Sequence, residues 1–139
     1  MPGVDQLLSR EGLVLPKVVH RAVLVGTRMP PGSIHRKPDG TDVRTLWGEI
    51  AWQLGGKEGY RLVADADRTA TSPGEHLTEL FTRFSPCIIL IDEWVAYARQ
   101  LHSEATLPAG TFDTQFTFAQ ALCDAVKDVR TAQLVVTVP

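Results

Sequence analysis

The sequence CIILIDE, residues 87–93, decides the fold, because it joins an uninterrupted apolar run to two adjacent acids. A short apolar run of this kind predicts a buried β-strand. Two similar runs, Arg21 to Gly26 (RAVLVG) and Gln133 to Val138 (QLVVTV), predict two more strands. None of the three shows regular polar alternation, so we expect a sheet that is covered on both faces.

Helical patterns lie between the first and second predicted strands. Apolar residues recur at helical spacing from Val43 to Leu54, and the pair Gly55-Gly56 is a natural end for that helix. A second helix is predicted to begin at Ser72, with Pro73 at its first position and Glu75 at the spacing of a capping box. Both helices present one apolar stripe for packing on the sheet.

Two more helices are predicted after the central strand. One runs from about Glu93 to His102. The other runs from about Asp113 to Val129, and its apolar residues fall in two stripes, so we expect it to be buried over much of its girth. The alternation of strands and helices is typical of a parallel α/β sheet with right-handed crossovers. We therefore predict a single α/β domain over residues 1–139.

Two connections are long for a compact domain, residues 27–42 and 57–71. The first contains Arg28, Arg36 and Lys37, which are suited to contact phosphates, although a solvated loop is the interpretation that we favour. The second shows enough apolar spacing to contain a further helix.

Composition excludes several classes of function. The 139 residues include 14 Lys and Arg against 16 Asp and Glu, for a net charge of −2, so no global basic field draws the chain to nucleic acid or anionic lipid. No apolar run approaches the ~18 residues of a membrane helix, and the first residues lack the pattern of a signal peptide. We expect a cytoplasmic protein without a membrane partner.

The cysteines and histidines show no pattern of metal binding. Cys87 and Cys123 form no CxxC pair, and the four histidines are scattered without a ligand spacing. We expect both cysteines to be buried free thiols.

Asp92 and Glu93 carry the chemistry that the sequence predicts. An apolar strand that ends in two acids and leads into a helix is the pattern of a Walker B motif. A carboxylate at the carboxyl end of a buried parallel strand lies in the crevice where open α/β sheets bind ligands. Asp92 would hold Mg²⁺ through its water shell, and Glu93 would orient the water that attacks the γ-phosphate of ATP.

The same two acids also have a purely structural explanation. Acids at the start of a helix interact favourably with its dipole, and four aliphatic residues followed by two acids form a short pattern that occurs by chance. The α/β alternation around residues 87–93 favours the Walker B interpretation.

Longer stretches resemble a known family. RAVLVGT, KPDGTDVRTLWGEIAWQLGGKEGY, CIILIDEWVAYARQL and LPAGTFDTQFTFAQAL are similar to large prokaryotic predicted AAA-type ATPases, catalogued mainly as a domain of unknown function. The likeness covers nearly the whole chain. It implies a three-layer P-loop NTPase-like core in which the strands at 21–26, 87–92 and 133–138 are the second, third and fourth. Thr137 would then lie where related ATPases place a polar sensor residue, although a β-branched residue is also expected in any strand.

The 139 residues contain no Walker A loop. That loop needs GxxxxGK[ST] between a strand and a helix, so that backbone N–H groups surround the phosphates. Gly55-Gly56-Lys57 does not qualify, because Glu58 replaces the Ser or Thr and the segment follows a helix. We therefore expect an internal part of an ATPase core, whose Walker A strand precedes Met1 in a complete relative. ATP and Mg²⁺ would bind to the complete protein and bind poorly to this chain.

Two other functions stay open at this point. One is a non-catalytic α/β interaction module whose acidic pair is a relic. The other is a nucleic-acid-associated module that uses Arg28, Arg36 and Lys37. The resemblance to AAA-type proteins also implies a homo-oligomer in which a neighbour supplies an arginine, for which Arg99 and Arg130 are candidates by residue type alone.

The last predicted strand raises a question of solubility. In AAA-type cores the strand at 133–138 pairs with the Walker A strand, so without that partner its edge would be open. We expect the free chain to aggregate, to dimerise through this edge, or to cover it with residues 1–17.

Overall fold

The computed structural model describes residues 3–101 and 107–138. The helices are α1 (Val4–Arg10), α2 (Leu46–Arg61), α3 (Ala64–Thr69), α4 (His76–Arg83), α5 (Trp94–Ala98) and α6 (Phe112–Asp128), and the strands are β1 (His20–Val25), β2 (His35–Arg36), β3 (Asp42–Val43), β4 (Cys87–Asp92) and β5 (Ala132–Val136). A short 3₁₀ helix, Gly26–Arg28, follows β1. No helix in the described ranges is both long and apolar enough to cross a membrane.

A parallel sheet organises the chain. Its strand order is β1-β4-β5, and the register places Val23 beside Leu90 and Leu90 beside Val135. Because the strands are parallel, all three carboxyl ends lie at the same edge of the sheet. The prediction of an α/β fold with a parallel sheet flanked by helices is confirmed.

The described helices cover only one face of this sheet. Ala22, Leu24 and Ile89 face them and are at most 2% exposed. On the opposite face, Val23 is 51% exposed and Val135 is 49% exposed. Successive side chains of a strand point to opposite faces, and no described element packs on the second one. The expectation of a sheet covered on both faces is therefore wrong for the described residues.

The two edges of the sheet differ. At the outer edge of β1, Gln53 Oε1 accepts a hydrogen bond of 2.7 Å from Val23 N, and Gln53 Nε2 donates one of 3.0 Å to Val23 O. The side-chain amide thus occupies the place of a neighbouring strand. Glu49 Oε1 fixes it by accepting a 2.8 Å bond from Gln53 Nε2. At the other edge, no described strand pairs with the outer side of β5.

The N-terminal segment does not bury itself against the rest of the chain. None of the residues of α1 is buried, and Val14 is 92% exposed. The described part of residues 1–17 therefore does not provide the expected cover for β5, because it contributes no buried apolar side chain.

The first predicted helix begins and breaks close to the expected positions. Thr45 caps α2, and its Oγ1 accepts a 3.0 Å bond from Gly48 N. The regular helix is interrupted at Gly55 and Gly56, where Gly56 has a φ of 59°. A Cβ at Gly55 would lie 2.3 Å from the Phe84 ring, so a larger residue here would require that ring to move. The chain then continues helically to the end of α2, within the segment for which the sequence predicts a further helix.

The predicted capping box at Ser72 is wrong. The helix begins at His76, and Gly74 has a φ of 53°, which lies in the left-handed region and stops a helix from extending back to Ser72. The Ser72 hydroxyl is buried without a hydrogen-bond partner in the described chain.

The two later helices also depart from expectation. Helix α5 is shorter than predicted mainly because it ends at Ala98, and it begins at Trp94 because Glu93 adopts a φ of 57°; the predicted end, His102, lies outside the described residues. Helix α6 matches its predicted bounds within a residue at each end. It has one buried stripe only, because Phe116 is 62% exposed and Cys123 is also exposed. The prediction of a buried thiol is confirmed for Cys87 and wrong for Cys123.

The two long connections are both folded. Residues 57–71 contain the end of α2 and all of α3, which confirms the further helix. Residues 27–42 are mostly exposed, as the favoured interpretation of a solvated loop expects, although β2 within them pairs with β3 in a small hairpin. Lys37 secures the hairpin, since its Nζ lies 2.5 Å from Glu49 Oε2 and 4.9 Å from the centre of the Trp52 ring.

Candidate functional site

The carboxyl ends of β4 and β5 bring the predicted site residues together. Asp92 ends β4, and Thr137 follows β5. Thr137 N donates a 3.0 Å bond to Ile91 O, which extends the β4–β5 ladder by one residue. Thr137 Oγ1 donates a hydrogen bond to Asp92 Oδ1, and it accepts a 3.3 Å bond from Glu93 N. The structure thus places Asp92, Glu93 and Thr137 in one hydrogen-bonded group.

Glu93 has an unusual backbone conformation. Its φ of 57° and ψ of 38° are left-handed, which is uncommon outside glycine and costs about 1–2 kcal/mol. This turn between β4 and α5 aims the amide of Glu93 at Thr137 and its carboxylate toward the end of β1. Left-handed non-glycine residues of this kind concentrate at active sites and ligand-binding sites.

Thr27 completes the group from the end of β1. Its Oγ1 donates a 2.5 Å hydrogen bond to Glu93 Oε2. The strand register explains why Thr27 lies close to Glu93: Val25 pairs with Asp92, and the residues that follow each of them leave the sheet at the same edge. The polar group therefore draws on all three strands of the sheet.

Gly26 makes this close approach of the backbones possible. A Cβ added at Gly26 would lie 2.1 Å from Glu93 O and 3.0 Å from Tyr97 Cβ. Any larger residue would push the end of β1 away from the corner between β4 and α5. Gly26 therefore sets the distance at which Thr27 reaches Glu93.

Sequence reasoning missed Thr27 and Gly26. The available signal was a glycine and a hydroxyl residue directly after an apolar run, at the edge where Asp92 was already expected. A threonine after a strand is too common to mark a site, and the contact depends on strand pairing that a single sequence does not reveal.

The two acids lie together without a cationic partner. Asp92 and Glu93 are both half-buried, and within residues 3–101 and 107–138 neither forms a salt bridge. Adjacent uncompensated carboxylates favour the binding of a cation.

The donor chemistry at Asp92 fits Mg²⁺. Magnesium prefers oxygen ligands and keeps several waters, so one carboxylate together with substrate phosphates is a usual site. Thr137 engages Asp92 Oδ1, and Asp92 Oδ2 makes no hydrogen bond to a described residue, so one oxygen is available. The described residues contain no group of three or more His, Cys, Asp or Glu that could hold a metal ion, so waters and phosphate oxygens would have to complete the shell.

The basic residues singled out in the sequence do not pair with these acids. Arg36 forms a two-point contact with Asp42, and Lys37 pairs with Glu49. Arg28 is exposed at the end of the short 3₁₀ helix after β1. Arg99 at the end of α5 and Arg130 after α6 are also exposed. None of them lies within salt-bridge distance of Asp92 or Glu93.

An apolar groove of about 410 Å³ lies beside the end of β5, between α5 and α6. Trp94, Phe112, Phe116 and Val136 are among its lining residues. Gln115 also lines it, and its Nε2 is buried without a partner among the described residues. The groove adjoins the strand whose outer edge is open.

A comparison with protein families places the chain. The model of the DUF499 N-terminal domain matches residues 16–139. No curated protein and no solved structure matches the chain.

Proposed function

This chain belongs to the DUF499 N-terminal domain family, and we propose that it forms the Walker B half of an ATP-hydrolysing core. The observation that carries the proposal is the hydrogen-bonded group at one sheet edge, where Thr137 contacts Asp92 and Thr27 contacts Glu93. An acidic pair that only started a helix would have no need of oriented hydroxyls from two other strands.

Each residue of the group has a distinct task in this proposal. Asp92, oriented by Thr137, would hold Mg²⁺ through a bound water. When bound, Mg²⁺ would neutralise charge on the β- and γ-phosphates. Glu93 would accept a hydrogen bond from the attacking water, and Thr27 leaves its Oε1 free for that water by binding Oε2.

The sheet order supports a P-loop core in particular. In AAA-type cores the second, third and fourth strands are neighbours in that order, and β1-β4-β5 has the same succession. Gln53 closes the outer edge of β1, whereas the outer edge of β5 has no described partner. A further parallel strand beside β5, carrying a Walker A loop, would supply the phosphate-binding half. A helix on the exposed face with Val23 and Val135 would complete three layers.

The resemblance extends the proposal to assembly. We expect the complete protein to bind ATP and Mg²⁺ as a homo-oligomer, in which Arg99 and Arg130 are the arginines to test for a role in trans. The isolated chain should bind MgATP poorly, because it lacks the backbone N–H groups that contact the phosphates.

Asp92→Asn tests the proposal in a longer family protein that also contains a Walker A loop. We expect the maximal rate of ATP hydrolysis to fall at least about a hundredfold, because the amide is a far poorer partner for a magnesium-bound water. Asp113→Asn, on the exposed first turn of α6, is the matched control. A hydrolysis rate equal to that of the control would favour the relic acidic pair of an interaction module.

A further inference from the structure

A second concave surface has no lining residue in common with the acidic edge of the sheet. This basic pocket has a volume of about 380 Å³, and its lining residues come from the hairpin, the start and end of α2, and α3. They are Thr41, Asp42, Arg44, Lys57, Tyr60, Arg61 and Arg68. Four of the seven are cationic at neutral pH, in a chain whose net charge is −2.

A buried carboxylate fixes the walls of the basic pocket. Asp67 is 0% exposed, and it accepts hydrogen bonds from Arg44 N at 3.1 Å, Thr45 N at 2.9 Å and the Tyr60 hydroxyl at 2.7 Å. These bonds join α3 to both ends of α2. Gly48 permits the contact, since a Cβ there would lie 2.1 Å from Asp67 Oδ1. The basic side chains therefore rise from a rigid base.

The cations at the end of α2 and in α3 are available to a ligand. Arg61 pairs with Glu58 and Arg68 pairs with Asp65, both as exposed pairs three residues apart in sequence. Such surface pairs contribute little and exchange readily with a stronger anion. Lys57 has no acid within salt-bridge distance in the described part of the chain.

The remaining charges of the basic pocket do not block it. Asp42 is the one acid that lines it, and Arg36 holds both of its oxygens from outside at 2.8 and 2.9 Å. Arg44 lies with its Nη1 3.8 Å from Asp67 Oδ2, which is too long for a strong hydrogen bond. Its guanidinium donates no hydrogen bond to another described residue.

A second concavity adjoins the first. It is lined by Arg44 and Arg68 again, and by the threonines Thr69, Thr71, Thr111 and Thr114. Arg44 and Arg68 therefore stand between two hollows, one rich in cations and one rich in hydroxyls. Successive phosphates of one flexible strand fit this arrangement better than a single phosphate, because the contacts extend on both sides of the shared arginines.

We propose that the basic pocket binds the phosphate backbone of a single-stranded nucleic acid, with Arg44, Lys57, Arg61 and Arg68 as its cationic contacts. Arginine matches phosphate oxygens through two parallel hydrogen bonds, and lysine adds a point charge. This surface differs from the segment of Arg28, Arg36 and Lys37 that the sequence suggested, where Arg36 binds both oxygens of Asp42 and Lys37 pairs with the buried Glu49. The proposal does not depend on ATP hydrolysis.

Fluorescence anisotropy with the chain and a labelled oligothymidylate tests the proposal. The logarithm of the binding constant should fall linearly with the logarithm of salt concentration, with a slope of about −0.7 for each phosphate contacted. The double variant Lys57→Ala/Arg61→Ala should lose about tenfold or more in affinity at low salt, and it should reduce the magnitude of that slope by about 1.4, since two contacts are lost.

The control removes the same charges elsewhere. Arg10→Ala/Lys17→Ala also deletes one lysine and one arginine, both exposed in the N-terminal segment. It should change the affinity by less than about twofold, since bulk charge alone acts weakly at this distance and salt. Equal losses in the two double variants, or no binding by the unsubstituted chain, would overturn the proposal.

One further variant and two further ligands complete the binding experiment. Arg68→Gln changes one exposed side chain and should weaken binding even if the double variant does not fold. Labelled ATP and inorganic phosphate, offered under the same conditions, distinguish the source of the phosphate. Tighter binding of ATP than of the oligonucleotide would overturn the assignment to nucleic acid.

Discussion

Thr27 Oγ1 donates a 2.5 Å hydrogen bond to Glu93 Oε2, which joins the end of β1 to the first residue after β4 across 66 positions of sequence. The bond fixes one oxygen of the carboxylate that we propose to act on water. Two variants test this arrangement: one removes the hydrogen bond, and the other disturbs the close approach of the two backbones.

Thr27→Val removes the hydroxyl and keeps the shape of the side chain. In a longer family protein that hydrolyses ATP, we expect kcat to fall about tenfold with little change in KM, because the loss of one hydrogen bond to a charged group is worth ~1.4 kcal/mol. Thr82→Val is the matched control, since Thr82 is exposed on α4 and bonds only its own helix. An unchanged kcat would mean that Thr27 does not position Glu93.

Gly26→Ala tests the close approach beneath that bond. The new Cβ would meet Glu93 O, which is backbone and cannot rotate away, so we expect a loss of at least about 2 kcal/mol in the free energy of unfolding. Gly32→Ala is the control, because the nearest atom to its Cβ would be Leu107 Cδ2 at 3.9 Å. Denaturant unfolding should separate the two variants clearly. Equal free energies of unfolding for the Gly26→Ala and Gly32→Ala variants would show that the backbone between β4 and α5 can move to accommodate the new Cβ.

The buried thiol of Cys87 predicts a loss of stability at alkaline pH. Burial raises the pKa of this thiol from 9.0 to about 11, because the thiolate is disfavoured in the apolar core. Between these values the unfolded chain releases the proton first, so the free energy of unfolding falls as the pH rises, by up to about 1.4 kcal/mol per pH unit.

Urea unfolding of the chain and of Cys87→Ala at about pH 8 and about pH 10 measures this contribution. The unsubstituted chain should lose more stability than the variant over that interval. The exposed Cys123 is common to both proteins and cancels in the comparison. Parallel losses in the two proteins would contradict the assignment to Cys87.

The open edge of β5 predicts self-association. Its backbone donors and acceptors lie beside uncharged side chains, and such an edge pairs readily with another strand. Val135→Lys should shift the chain toward monomer in sedimentation, because a charge on an edge strand disfavours pairing. Val23→Lys is the control, since Val23 is equally exposed but lies on the edge that Gln53 closes. Equal effects would indicate stacking of the exposed sheet faces instead.

How far the sequence predicts this fold differs from element to element. The apolar run before Asp92 is local and strong, so β4 and its acidic end follow from residues 87–93 alone. The start of α4 was misplaced because Gly74 enters the left-handed region, which outweighs a favourable spacing between Ser72 and Glu75. The spacing of a capping box therefore predicts the start of a helix only when the residues between its two ends are helical.

Some residues of the candidate site could be predicted from the sequence and others could not. Asp92 and Glu93 are neighbours in sequence, and Thr137 was expected from a family resemblance. Thr27 is absent from the prediction because its contact with Glu93 depends on the pairing of Val25 with Asp92. The exposed face of the sheet was also missed, because an unbroken apolar run does not tell which of its two sides another element covers.

Steady-state ATP hydrolysis by Glu93→Gln tests the central claim most directly, in a longer family protein that contains this domain and a Walker A loop. We expect ATP binding to stay within about twofold and phosphate release to fall at least about a hundredfold, because glutamine keeps the shape and loses the base. Glu75→Gln, at the exposed start of α4, should hydrolyse ATP normally. Phosphate release by Glu93→Gln at the rate of that control would contradict the proposed Walker B role.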